Sequence, residues 1–126
     1  MKTLKTLIAA LILLGTTSAN AETYGLHLFF NETEYVDVMT LERSNGKITG
    51  TMQVPNDFDG TLDNVTIQGL EISFDLFVPK NSARPQDLVF HYKGKFFDSS
   101  LKQLTGYVTI KDQPGFVASF VAFLRD

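Results

Sequence analysis

From Ile48 to Lys111 the chain alternates apolar and polar side chains with a period of two. This constrains its fold more than any other feature. Ile48, Met52 and Val54 alternate with Thr49, Thr51 and Gln53, and Ile72, Phe74, Leu76 and Val78 with Glu71, Ser73 and Asp75. Leu88, Phe90, Tyr92 and Phe96 alternate with His91, Lys93 and Lys95, and Leu104, Val108 and Ile110 with Thr105, Thr109 and Lys111. Successive side chains of a strand point to opposite faces, so this pattern describes antiparallel sheet with one dry face and one wet face. No segment carries the 3.6-residue periodicity of a helix. The reading is all-β, with eight strands at about 23–30, 34–43, 47–54, 61–68, 70–78, 87–97, 102–111 and 116–125.

Turn chemistry orders the strands. Ser44-Asn45-Gly46 is a hairpin signal, because Asn-Gly accepts the positive φ angles of a two-residue turn. Gly69 makes another tight connection, whereas 55–60 and 79–86 read as longer, irregular loops. Short connections predict an up-and-down meander whose loops alternate between two ends, so both long loops crown one rim. Gly50, Gly94 and Gly106 each interrupt a buried track. A glycine there marks a bend or a close backbone approach, which suits a sheet coiled into a small closed or nearly closed barrel.

The segment Asn45-Gly46-Lys47-Ile48-Thr49-Gly50-Thr51-Met52 resembles the Gly-x-(Leu/Phe)-Thr-Gly-Thr-Tyr stretch of avidin-like proteins. With it the chain resembles the calycin-type barrels, lipocalin-like and avidin-like, and the small exported bacterial domains that use the same phrasing. The resemblance implies an eight-stranded barrel that binds a ligand inside. Biotin is not implied, because the chain has no tryptophan and carries Met52 where the avidin-like segment has tyrosine.

The first residues predict export. A basic start (Lys2, Lys5), an apolar run from Thr6 to Gly15 and the small-x-small sequence Ala19-Asn20-Ala21 have the layout of a cleaved signal peptide over 1–21. The apolar run is only about half the roughly 20 residues needed to span a bilayer. One domain, 22–126, then remains, in the periplasm or outside the cell. Lys2 and Lys5 are two of the 11 basic residues, so this domain holds 9 against 14 acids, a charge of −5. That excess disfavours nucleic acid and anionic membranes. The chain has no cysteine, which removes disulfides, thiol catalysis and a lipid anchor at the signal's end.

Catalytic patterns are missing from the sequence, and the expectation is a protein that is not an enzyme and needs no cofactor. His27 and His91 fall on outward tracks with no metal-ligand spacing. Asp57-x-Asp59-Gly60 matches the middle of a calcium loop, but Pro55 and Thr66 occupy its two end positions. A turn built by Asx side chains explains these residues better.

Aromatic residues supply the binding candidates. Phe30, Met52, Phe74, Phe90, Tyr92 and Phe120 are expected on the inner face, as the packing of a mostly filled interior or the lining of a site for a small apolar ligand. Phe58, Lys80 and Arg84 sit on the long-loop rim as candidate contacts for a protein partner. Phe29, Tyr107, Val117, Val121 and Phe123 fall on the outward track of the first, seventh and eighth strands. A closed meander makes those strands neighbours, giving an apolar wall suited to a homo-oligomer. The leading expectation is a binding domain with its site at the long-loop rim. The alternative is a self-associating structural or inhibitor-like protein.

Overall fold

A computed structural model describes residues 20–125. Eight antiparallel strands form it: β1 (Asn20–Phe30), β2 (Thr33–Ser44), β3 (Lys47–Val54), β4 (Phe58–Gln68), β5 (Glu71–Val78), β6 (Leu88–Phe96), β7 (Gln103–Ile110) and β8 (Gln113–Leu124). Each strand pairs with its neighbours in sequence, and β8 pairs with β1 to close the barrel. The expected all-β meander is therefore the fold. The expected signal peptide lies outside the described residues, except for Asn20 and Ala21, which pair with Arg43 and Glu42 at the start of β1.

Two connections are tighter than the sequence suggested. The stretch 55–60 is not a long loop. Asn56 adopts a φ of 62°, and the Asp57 amide donates to the Val54 carbonyl at 3.1 Å, turning the chain within three residues. Phe58, Asp59 and Gly60 then pair with Val54, Gln53 and Met52, so two of the residues spelling a calcium loop are strand residues. Likewise β8 begins at Gln113, three residues earlier than expected, because Asp112 takes a φ of 65° and a register shift near Ile110 absorbs the following residues. The β5–β6 connection is the longest. The Asn45-Gly46 turn has φ values of 54° and 74°, the double positive pair its sequence predicts.

Burial follows the alternation. Met52, Ile72, Phe74, Leu76, Val78 and Tyr92 point inward and are buried, as are Phe96, Leu104, Val108 and Phe120. On β6 and β7, Gly94 and Gly106 lie directly opposite each other, and Gly106 also faces Phe120 on β8. A Cβ on Gly94 would stand 2.9 Å from both the Thr105 carbonyl oxygen and Phe120 Cζ, so the ring of Phe120 occupies space that a side chain at Gly94 would take. One end of the barrel is closed by Tyr24. Its ring packs 6.3 Å from that of Phe96, and its hydroxyl donates to the Leu101 carbonyl at 2.8 Å.

Candidate functional site

At the opposite end the barrel is not filled. A cavity of about 560 Å³ opens at the rim that carries the β1–β2, β3–β4, β5–β6 and β7–β8 connections. The expectation of a mostly filled interior therefore holds only for the lower part. Cavities of this size suit small organic ligands. On β1 the lining reaches down to Leu28, on β2 to Asp37 and on β6 to Tyr92, so these residues form the floor.

One wall is aromatic. Phe30 and Phe116 lie 4.5 Å apart by ring centroids, Phe116 and Phe90 6.3 Å, and Phe90 and Tyr92 6.5 Å. Tyr92 in turn stacks on Phe74 at 4.6 Å and meets the edge of Phe120 at 5.7 Å. Of the residues expected to bind a ligand, Phe30, Phe90 and Tyr92 line the cavity. Met52, Phe74 and Phe120 are buried in the packing beneath and around it and support the lining instead of forming it. Phe116 also belongs to the lining.

The residue that sequence reasoning missed is Asp37. It is 5% exposed, the one buried charged residue among those described, and it lies on the inward track with Met39 and Leu41. Among the described residues its carboxyl group has no hydrogen-bond partner within the chain. Burial, together with the nearby negative charge of Asp57, pushes its pKa up to about 6. The Tyr92 hydroxyl is also pushed up, by burial first and by Asp37 second, so it remains a protonated donor. A sequence signal existed, because an acid interrupts the track of Met39 and Leu41. The other track, with Val36 and Val38, is equally apolar in that segment, so alternation alone could not decide which set faces in.

A polar clasp holds one side of the mouth. Arg84, in the β5–β6 connection, grips Asp57 with two nitrogens, Nη1 to Oδ2 at 3.1 Å and Nη2 to Oδ1 at 3.2 Å. Asn81 Nδ2 donates to the same carboxylate at 3.1 Å, and Arg84 Nε donates to the Pro79 carbonyl at 3.0 Å. The Arg84 hydrogen bond holds Asp57 below the usual carboxylate range. Among the residues expected to contact a partner, Arg84 is thus committed within the rim, Phe58 lines the cavity, and Lys80 is exposed.

Both histidines meet carboxylates on the outer wall: His27 Nδ1 is 2.5 Å from Glu34 Oε2, and His91 Nδ1 is 2.6 Å from Asp75 Oδ1. Neither histidine lines the cavity, and no cluster of three or more potential metal ligands occurs among the described residues. The outer wall of β5 and β6 carries Glu71, Asp75, His91, Lys93 and Lys95, unlike the continuous apolar band of a barrel set in lipid. Compared with known proteins, the chain matches no family model, and no curated protein matches it.

The five outward residues of β1, β7 and β8 do adjoin. Phe29 and Tyr107 flank Ser119 in one cross-strand row, with Val117 and Val121 in the rows on either side. Tyr107 is 63% exposed and Val117 55%, and the edge of His27 meets Phe123 at 6.0 Å.

Proposed function

We propose that this protein is a non-enzymatic, exported binding domain of the calycin type, which takes a small, largely apolar ligand into the rim cavity. The cavity itself carries this reading, since a barrel built only for stability gains by filling its interior. The aromatic wall formed by Phe30, Phe116, Phe90 and Tyr92 offers an apolar body flat surfaces to lie against. The signal-like first residues and the Asn45–Met52 segment support export and the calycin resemblance.

The test is saturable binding of the neutral fluorophore N-phenyl-1-naphthylamine, alongside native mass spectrometry of protein purified without refolding. The dye is expected to bind at one site. Val54→Trp, at a half-buried lining position, is expected to weaken it about tenfold or more while the circular dichroism spectrum stays that of a sheet. Binding that Val54→Trp leaves unchanged would move the site elsewhere, and no binding at all would remove this function.

A second reading is favoured by the adjoining exposed side chains of β1, β7 and β8: a homo-oligomer that associates through this wall. It expects a dimer or larger species in sedimentation velocity, dissociated by Val121→Glu at the centre of the patch. A monomer at the highest attainable concentration counts against it.

A further inference from the structure

We infer that the ligand of this cavity is an amphiphilic cation, an alkyl or aralkyl ammonium whose charged head pairs with Asp37 while its apolar body lies against the rings of Phe90, Phe116 and Phe30. The inference rests on the cavity being a ligand site and adds the chemical class of its occupant.

Three observations carry it. The Asp37 carboxyl group is buried at the floor of the cavity, the only charged group at that depth, with no hydrogen-bond partner from the chain among the described residues. A buried carboxyl left so is costly, and a donor brought in by a ligand would satisfy it. Next, β2 and β6 stand diametrically opposite in the closed ring of eight strands, so Asp37 faces Tyr92 and Phe90 across the lumen. A carboxylate facing aromatic rings suits an ammonium group, which gains from the charge on one side and from the π faces on the other. Last, the lining carries Glu34, Asp37 and Asp57 against a single cation, Arg84, which is already held by Asp57 and the Pro79 carbonyl. An anionic head would meet the Asp37 carboxylate with no free cation to receive it, Glu34 being engaged by His27 on the outer wall. A neutral hydroxyl could donate to Asp37 but would leave its charge unbalanced.

Isothermal titration calorimetry with 4-phenylbutylamine, 4-phenylbutan-1-ol and 4-phenylbutyrate separates these heads on one body. The amine is expected to bind about tenfold or more tightly than the alcohol at pH 7.5, and the carboxylate more weakly than either. Asp37→Asn is expected to bring the amine down to the affinity of the alcohol, with a sheet-type circular dichroism spectrum and a cooperative thermal melt reporting that the variant is folded. A wild-type arm needs no variant. As pH falls from 7.5 to 5, protonation of Asp37 should weaken the amine and leave the alcohol unchanged. The other groups at the site are Tyr92 from β6, Glu34 from β2, Asp57 from the β3–β4 turn and Arg84 from the β5–β6 connection. Tyr92 holds its proton throughout this range, and Asp57 is held ionised. The contribution of Glu34 is separated by repeating the pH series in Glu34→Gln, where the amine should weaken as in wild type.

Equal affinity for amine and alcohol, or an amine preference that survives Asp37→Asn, overturns the inference while dye binding keeps the cavity as a ligand site. Failure of the dye and of all three probes overturns both.

Discussion

Replacing Gly106 by alanine is expected to cost about 4 kcal/mol or more of folding stability, at the upper end of what single substitutions do. That corresponds to a fall of roughly 15 °C or more in Tm for a domain of this size. A Cβ at Gly106 would lie 2.5 Å from the Gly94 Cα and 2.8 Å from the Lys93 carbonyl carbon, both backbone atoms of the neighbouring strand. Side chains can rotate away from such a clash, but a paired strand cannot. Either β6 and β7 separate, losing the register from Phe90–Ile110 to Phe96–Leu104, or the barrel opens. Thr105→Ala, at the adjacent exposed position, is the control and should shift Tm by only a few degrees. Thermal melts of the two variants decide the matter, and a Gly106→Ala protein melting within about 4 °C of wild type contradicts the close approach described for these strands.

Asp37 gives the second large effect, and its sign is unusual for a carboxyl group. Its pKa is about 6 in the folded protein and near 3.8 in the unfolded chain. Between those values the folded chain holds a proton that the unfolded chain has released. Stability therefore declines as pH rises from about 4 to about 6 and levels off above, for a total loss of about 3 kcal/mol. Asp57 and Asp75 act in the opposite sense. The Arg84 hydrogen bond is the main influence that lowers Asp57. For Asp75, burial would raise the pKa, but the hydrogen bonds from His91 and Asn64 outweigh it and lower it. Their stabilisation is present above the ordinary carboxylate pKa and is lost as pH falls through their lowered values. Stability should thus peak at about pH 4 to 5. Asp37→Asn is expected to be more stable than wild type by up to about 3 kcal/mol at pH 7.5 and to lose the decline between pH 4 and 6. Urea unfolding at pH 5 and pH 7.5 measures both, and a wild-type protein that is equally stable at the two values refutes the assignment. The proposed binding role would account for a buried group that weakens the fold at neutral pH.

The fold was largely legible because period-two alternation and short turns leave few alternatives. Where strands β5 and β6 alternate cleanly, Ile72 to Val78 and Leu88 to Phe96, inward and outward residues could be separated without coordinates. What escaped was set by backbone torsion. Asn56 and Asp112 adopt positive φ and shorten two connections, and asparagine and aspartate occupy such conformations in only some of their contexts. The cavity opens at the end that the alternation of loops assigned to the 55–60 and 79–86 connections, but its floor was not legible. Met52, Phe74 and Phe120 are inward residues like Phe90, and depth along the barrel, which separates packing from lining, depends on the stagger of neighbouring strands. Asp37 escaped because β2 carries apolar residues on both tracks.

The closure of one end by Tyr24 and Leu101 makes the cavity a blind vestibule. Whatever enters must leave by the same doorway, past the jamb where Arg84 holds Asp57. Tightening or loosening that jamb changes arrival and departure together. For the ligand proposed above, residence time and occupancy would thereby be governed by different parts of the molecule: the rim would set how long exchange takes, and the floor how much is held.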